Sequence, residues 1–248
     1  MSDHGTISVQ LYTVRRLLAE DLDGTIAALA GMGFGQVEVF DLLAYRNRLG
    51  EPLRRHALAA PTAHVDVLAS DLSEVAAAAR DVGVTTVIQP WTDPARWTDS
   101  DGIAELADAL NATAARAAGD GLRVGYHNHH FELASMVDGR HALEVFADRL
   151  APEVVLEVDL YWAFVGGADV AALLRRLGER VVALHVKDGD GTLDTSRQVA
   201  AGSGVVPLAD AVAAVPGALR IVELDDTAGD VLYAVRASRE FLVSLADA

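Results

Sequence analysis

Side chains that bind metals and transfer protons are concentrated in one stretch, RVGYHNHHFE at 123–132. A largely apolar segment is followed by three histidines, an asparagine and a carboxylate within a few residues. Imidazole and carboxylate groups are common ligands of divalent cations, and they also act as general acids and bases. A scaffold role hardly explains such a density, so we interpret this stretch as part of a site.

Three later segments repeat the pattern of an apolar run that carries polar groups, namely VVLEVD at 154–159, VVALHVKD at 181–188 and IVELD at 221–225. Because successive side chains of a strand point to opposite faces, the ionisable residues of each run share one face. These pairs are Glu157 with Asp159, His185 with Lys187, and Glu223 with Asp225. The four segments together predict one metal-binding pocket.

The elements that position these segments follow from an alternation of short β-rich runs with Ala- and Leu-rich helical stretches. The eight predicted strands are Ile7–Tyr12, Gln36–Phe40, Pro61–Val67, Thr85–Trp91, Leu122–His129, Val154–Trp162, Val181–Lys187 and Arg220–Asp225. The predicted helices are Leu22–Met32, Leu49–Ala59, Leu72–Val82, Ile103–Ala118, Ala142–Leu150, Val170–Leu177, Pro207–Val215 and Val231–Leu245. Eight consecutive strand–helix units predict an α/β fold, the (β/α)8 TIM barrel.

Domain organisation is predicted to be simple, with one domain over residues 1–248, because no linker, charge block or low-complexity segment interrupts the series. An open doubly wound sheet is the alternative fold, and it would call for a glycine-rich phosphate turn after the first strand. The residues after Tyr12 are Thr-Val-Arg-Arg, without glycine, which weakens a dinucleotide-binding interpretation.

The polar faces of the strands are predicted to point into the barrel, since the apolar faces must pack against the helices. The same alternation places further polar and aromatic residues inside: Gln10, Tyr12, Glu38, Phe40, His64, Asp66, His127 and His129. They occur late in their strands, at the C-terminal mouth where barrel enzymes carry their chemistry. Unpaired charges in such an interior cost about several kcal/mol each, so a divalent cation or a dense hydrogen-bond network must accompany them.

Composition narrows the class of ligand. The chain has 248 residues and no cysteine, so any metal must be held by nitrogen and oxygen ligands. A net charge of −16 argues against nucleic-acid binding, which normally requires a basic surface. No signal-like start or membrane-length apolar run occurs, so we expect a soluble cytoplasmic protein that acts on small molecules.

Individual residues have more than one interpretation. Asp159, Glu223 and Glu132 suit a ligand role, and His185 is either a ligand or a hydrogen-bonded core histidine. Glu157 lies deeper than Asp159, and we favour it as a structural partner of Lys187 or Arg123. The other histidines, His64, His127 and His129, are predicted to bind substrate hydroxyls or to support the site. The tryptophans Trp91, Trp97 and Trp162 are predicted to form an apolar wall or lid, with Trp162 nearest to a sugar face.

Two loop motifs carry weaker signals. The DGDGT run at 188–192 resembles the start of a calcium loop but lacks the glycine and final glutamate of an EF-hand, so we predict an ordinary turn. Gly202-Ser203-Gly204 is either a phosphate cradle or a simple turn.

The chain resembles the sugar phosphate isomerase/epimerase family with the xylose-isomerase-like barrel. The resemblance covers nearly the whole chain and rests on VQLYTVR at 9–15, YHNH at 126–129 with FE at 131–132, DLYWA at 159–163, HVKD at 185–188, GSGVV at 202–206 and IVE at 221–223. It implies a divalent metal, manganese first and magnesium, cobalt or zinc as alternatives, held by Glu132, Asp159, His185 and Glu223. His130 is a departure, because many relatives have an acid there, and the chain is short, so a second copy or a partner subunit is expected to complete the substrate wall.

The implied reaction is the isomerisation or epimerisation of a sugar through an enediolate. Few cationic residues other than Lys187 lie at the predicted strand ends, which favours an unphosphorylated sugar. Glu132 and Glu223 would be the acid–base pair and Lys187 would steady an oxyanion. The predicted substrate-binding residues are Gln10, Tyr12, Glu38, His64, Trp91, His127, His129 and Trp162. Two alternatives stay open, a lyase or dehydratase acting on a keto-sugar or inosose and a non-catalytic sugar-binding subunit. The endonuclease relatives are disfavoured by the acidic charge and by too few ligands for a multi-zinc cluster.

Overall fold

A closed barrel of eight parallel strands forms the centre of the computed structural model, which describes residues 7–246. In chain order the strands are β1 (Ile7–Gln10), β2 (Gln36–Val39), β3 (Ala59–His64), β4 (Thr86–Gln89), β5 (Arg123–His127), β8 (Val155–Asp159), β9 (Val181–Val186) and β10 (Leu219–Val222). A separate hairpin pairs β6 (Met136–Val137) with β7 (Arg140–His141). The predicted (β/α)8 fold is confirmed, and each predicted strand overlaps an observed one.

Helices surround the barrel. They are α1 (Arg15–Glu20), α2 (Leu22–Gly31), α3 (Leu42–Arg55), α4 (Leu72–Val82), α5 (Ser100–Ala117), α6 (Phe131–Ala134), α7 (Ala142–Arg149), α8 (Leu160–Val165), α9 (Val170–Leu177), α10 (Leu208–Ala214) and α11 (Val231–Ala246). The predicted bounds of α4 and α9 are those observed, whereas α3 begins seven residues before the predicted Leu49. No helix within residues 7–246 is long and apolar enough to cross a membrane.

Short polar side chains fix where the helices begin. The Asp71 carboxylate accepts the main-chain N–H of Ser73 at the start of α4, and Asp169 accepts that of Ala172 at the start of α9. These contacts satisfy N–H groups that have no partner within the helix. Gly83 ends α4 at φ 92°, a left-handed conformation that glycine adopts without steric cost.

Strand register brings the polar segments to one level of the barrel. Asp159 of β8 lies opposite His185 of β9, and Ile221 of β10 is also opposite His185. Glu223 follows two residues later, where its main-chain N–H donates to Val186 O. The apolar residues that alternate with them, such as Val158 and Val222, are buried against the helices. Asp66, which we predicted inside the barrel, is instead exposed, because β3 ends at His64 and the Asp66 carboxylate accepts N–H groups of the following loop.

Candidate active site

Three of the four predicted metal ligands come together at the mouth of the barrel. One ligand atom from each of Asp159, His185 and Glu223 lies within 4.8 Å of the other two, and all three residues are buried. His185 Nδ1 is 2.6 Å from Glu223 Oε2. We call these three residues the mouth group. Their donor set of carboxylate oxygens with one imidazole is a possible metal site.

Lys187 neutralises part of the negative charge of this group. Its ammonium nitrogen is 3.0 Å from Asp159 Oδ2, 2.8 Å from Glu223 Oε2 and 2.8 Å from Asp225 Oδ2. Burial would lower the pKa of Lys187, but the charges of Asp159, Asp225 and Glu223 hold it well above its usual value. Lys187 is therefore a charged ammonium held between Asp159 of β8 and the carboxylates of Glu223 and Asp225, which follow β10.

A second cluster lies deeper in the barrel and is centred on Glu157. Glu157 Oε1 is 2.6 Å from His64 Nε2, 3.0 Å from His185 Nε2 and 3.1 Å from His127 Nδ1. The prediction that Glu157 pairs with Lys187 or Arg123 was wrong. The reason is depth, because Lys187 extends to the mouth, whereas Arg123 stands exposed at the opposite, starting end of β5.

Glu38 and Gln10 belong to this deep level too. Glu38 Oε1 is 2.6 Å from His185 Nε2, and Gln10 Nε2 donates to the same oxygen at 2.8 Å. Both residues are fully buried and neither lines the cavity at the mouth. The structure thus places them under the site as supports, and their predicted contact with substrate stays untested.

Burial sets the protonation of these groups. It raises the pKa of Glu38 to about 7, aided by the charge of Glu157, and it raises that of Asp159 to about 6 against the opposing effect of Lys187. Burial also works to raise the pKa of Glu223, but His185 and Lys187 outweigh it and hold the value well below normal. His185 shows the reverse, because Glu157 and Glu223 overcome burial and keep its pKa well above normal.

Glu132, the fourth predicted ligand, is held by other partners. Its Oε1 accepts the Tyr126 hydroxyl at 2.7 Å and its Oε2 accepts the main-chain N–H of His129 at 2.9 Å. Burial raises the pKa of Glu132 to about 8. Tyr126 alternates with His127 on β5, so it lies on the other face of the strand, and Glu132 is not among the residues whose ligand atoms converge in the mouth group. The ligand and acid–base roles of Glu132 stay predictions.

An open cavity of about 310 Å³ lies above the mouth group. Its lining includes five of the predicted substrate-binding residues and the predicted ligand Glu223: Tyr12, His64, Trp91, His127, His129 and Glu223. Phe40, Asp41, Pro90 and Asp225 complete it. Trp91 is 52% exposed at the rim, and Phe40 packs edge-to-face on Tyr12.

The other tryptophans lie away from this cavity. Trp162 is buried against Tyr161 and His130, and Trp97 donates its indole N–H to Thr92 Oγ1 in the core. Neither ring lines the cavity, so the sugar contact predicted for Trp162 stays untested.

Asp188 is a key residue that sequence reasoning missed. Its carboxylate is fully buried and accepts the main-chain N–H groups of Gly189, Gly202, Gly204 and Val206. A Cβ on Gly204 would lie 2.2 Å from Asp188 Oδ1, so this close approach requires glycine. The loop therefore folds as a turn around Asp188, and its N–H groups are engaged there rather than free to cradle a phosphate. In the sequence, the two glycines of Gly202-Ser203-Gly204 were the signal that could have indicated a tight loop around a buried side chain.

The family of the chain is shown by a family model described as xylose isomerase-like TIM barrel, which matches residues 26–218. The chain belongs to this family. No curated protein sequence matches it significantly.

Solved structures support the same fold. A sugar phosphate isomerase/epimerase from Parabacteroides distasonis is 20% identical with a TM-score of 0.81, over 97% of this chain and 94% of that one. The probable 3-DHS dehydratase AsbF from Bacillus anthracis is 13% identical with a TM-score of 0.75, over 96% and 98%. The IOLI protein with a binding zinc atom is 14% identical with a TM-score of 0.65, over 97% of each chain. At these identities the likeness establishes the fold.

Proposed function

We propose that the protein is a divalent-metal-dependent isomerase or epimerase of an unphosphorylated sugar, with its reaction centre at the mouth of the barrel. The observation that carries the proposal is the position of Glu223. This residue belongs to the mouth group and also lines the 310 Å³ cavity, so a substrate in the cavity would meet the metal-binding side chains at Glu223.

The side chains of the mouth group fit a divalent cation. Two carboxylates and one imidazole suit manganese, magnesium or cobalt. The carboxylates of Asp159, Glu223 and Asp225 surround the single ammonium of Lys187, which leaves negative charge for a cation to balance. Asp159, His185 and Glu223 would hold the ion, with Glu132 as the predicted fourth ligand. When bound, a divalent cation polarises a carbonyl oxygen and stabilises negative charge on it.

The protein's own residues then divide the remaining tasks. Glu223, at the cavity wall, is placed to take a proton from a substrate carbon, and Lys187 beside it is placed to stabilise an oxyanion. His127 and His129 line the cavity and offer ring nitrogens to hydroxyl groups. Burial and the charge of His185 lower the pKa of His127, and burial lowers that of His129 to about 4, so both rings are neutral at pH 7.

The aromatic rim supports a sugar substrate. The aromatic side chains of Tyr12, Phe40 and Trp91 line the cavity together with polar residues. The carbon–hydrogen face of a sugar ring packs on such surfaces while its hydroxyls bind the polar side. The engaged N–H groups of the Gly202-Ser203-Gly204 turn support an unphosphorylated substrate.

The test is a panel of ketoses and aldoses incubated in deuterated water with manganese-loaded protein. The wild type should incorporate deuterium into one sugar, and Glu223→Gln should abolish incorporation while its circular dichroism is unchanged. Glu105→Gln, on the exposed face of α5, is the matched control and should retain full activity. Incorporation by Glu223→Gln at the wild-type rate would overturn the proposal.

Product mass separates the alternatives. An isomer or epimer keeps the mass of the substrate apart from deuterium, whereas a lyase or dehydratase product is lighter by the departing group. Sugar binding without deuterium incorporation or mass change would instead establish a binding subunit.

A further inference from the structure

The deep cluster of the barrel contains a second set of metal-ligand side chains. One ligand atom from each of His64, His127, Glu157 and His185 lies within 4.8 Å of the others, and all four residues are buried. They come from four different strands, β3, β5, β8 and β9. Glu157 lies two residues before Asp159 on β8, so this cluster is one level below the mouth group.

The geometry is convergent. The imidazole nitrogens of His64, His127 and His185 all approach the same oxygen, Glu157 Oε1, at 2.6 to 3.1 Å. The centroids of the three rings are 4.5 to 5.3 Å apart. Ligands of a tetrahedral zinc ion lie roughly 3.3 Å from one another, so the His127 and His185 contacts need to lengthen by about 0.2–0.3 Å and the His64 contact by about 0.7 Å.

Unsatisfied carboxylate oxygens provide an independent observation. Glu157 Oε2 and Glu38 Oε2 are buried and have no hydrogen-bond partner among residues 7–246. A desolvated carboxylate oxygen without a partner is unfavourable. One divalent cation at this place would balance the charges of Glu38 and Glu157 together.

We propose that His64, His127, Glu157 and His185 form a second cation site, with Glu38 as its neighbouring carboxylate. Three imidazole nitrogens and a carboxylate favour zinc or another late first-row divalent ion, in contrast to the oxygen-rich mouth group. The two sites share one ring, because His185 turns Nδ1 towards Glu223 and Nε2 towards Glu157. When both ions are bound, His185 would bridge them as an imidazolate, with its remaining ring proton released to solvent.

The deep ion would position the mouth site. It would fix the ring of His185, which is a member of the mouth group, and two of its other ligands, His64 and His127, also line the cavity. This inference extends the proposed function but does not depend on it, because cation binding at the deep site is measured without turnover.

The experiment counts zinc ions on the full-length chain. Metal-stripped protein is loaded with excess zinc, separated by gel filtration and analysed for bound zinc per chain. We expect two in the wild type and one in each of Glu157→Gln and His64→Asn, which lack deep ligands. Asp159→Asn should also retain one, at the deep site. His56→Asn, a matched change at a partly exposed histidine outside both groups, should retain two.

Each outcome decides between the two sites. A single wild-type ion that is retained in Glu157→Gln and His64→Asn but lost in Asp159→Asn would overturn the deep site and leave the mouth site. A single ion lost in Glu157→Gln and His64→Asn but retained in Asp159→Asn would support the deep site and count against the mouth site. No bound zinc, or zinc lost equally in His56→Asn, would overturn the deep site.

A measurement on the wild type makes the result independent of how the variants fold. X-ray absorption spectroscopy at the zinc edge, on protein loaded with one equivalent of zinc per chain, counts the imidazole ligands of the bound ion directly. Three imidazoles support the deep site, because the mouth group contains one. One imidazole or none at that loading would overturn preferential binding of zinc in the deep cluster.

Discussion

The Lys187 ammonium nitrogen lies 2.8 Å from Glu223 Oε2 and, at 3.0 Å, also contacts Asp159 Oδ2. One buried cation therefore bridges two carboxylates that belong to the proposed metal site. Lysine and metal ion compete for, or share, the same negative charge. This relationship makes the stability of the mouth group depend on what cations are present.

Replacing Lys187 by methionine should expose this dependence. The change keeps the volume but leaves Asp159, Glu223 and Asp225 without their ammonium partner, which typically costs about 3–5 kcal/mol for a buried pair. Manganese should then raise the melting temperature more in Lys187→Met than in the wild type, because the cation replaces the lost charge. Differential scanning calorimetry with and without manganese is the measurement.

Arg55→Met is the control, since Arg55 pairs with Asp23 and Glu51 on the exposed surface and its loss should leave the melting temperature nearly unchanged. A Lys187→Met protein as stable as the wild type in chelator would contradict a bridging role for the ammonium.

Acidification should destabilise the metal-free protein partly through His129. Burial lowers the pKa of His129 to about 4, below the unfolded value of 6.5, so the unfolded chain binds more protons between these values. The stabilising contribution is present above pH 6.5 and is lost as pH falls towards 4. His129→Asn removes this titrating group. The free energy of unfolding of the wild type should therefore fall by up to about 3 kcal/mol more than that of the variant over this pH range.

Urea unfolding of both proteins at several pH values in the presence of chelator measures the difference. His130→Asn is the neighbouring comparison, with a pKa also lowered by burial but in a partly exposed ring, and its effect should have the same sign and be smaller. Parallel pH curves for wild type and His129→Asn would disprove the assignment.

Asp188→Asn should destabilise the loop that follows β9. The carboxylate accepts four main-chain N–H groups, and an amide would turn its NH₂ group towards two of them. Hydrogen bonds to a charged group contribute about 1.5–3 kcal/mol each, so we expect the free energy of unfolding to fall by about 3 kcal/mol or more. Chemical unfolding measures the loss, and limited proteolysis should show earlier cleavage between 189 and 206.

Asp190→Asn makes the same chemical change two residues later. The Asp190 carboxylate contacts Thr192 in an exposed turn, so this control should change stability much less. Equal effects at 188 and 190 would mean that the loop does not depend on the buried carboxylate.

Trp91→Ala should weaken sugar binding without changing metal binding. The Trp91 ring forms part of the cavity rim and is 52% exposed, so its loss removes a stacking surface but creates no core cavity. We expect KM for the substrate identified by the sugar panel to rise about tenfold, equivalent to about 1.4 kcal/mol, with kcat nearly unchanged. Tyr233→Ala removes an aromatic ring that is 70% exposed outside the cavity and should leave KM as it was. An unchanged KM in Trp91→Ala would remove the ring from the substrate site.

The sequence alone determined the barrel fold and the end of the barrel at which the candidate site lies. Alternation in segments such as 154–159 and 181–188 is set by the two-residue period of a strand, so it identified both the strands and the polar face of each. Because parallel strands all end at the same side, it also brought Asp159, His185 and Glu223 together. These predictions use only local periodicity and chain order, which a sequence contains in full.

Only the tertiary structure decided which partners those side chains take. Glu132 turns to Tyr126, Glu157 meets three histidines, and Asp188 holds a loop that returns 14 to 18 residues later. Each of these contacts depends on the register between strands, on depth within the barrel and on the path of a loop. Such distances arise when the barrel closes, and no spacing along the chain encodes them directly. The separation of the ligands into a mouth group and a deep cluster is therefore a property of the closed barrel.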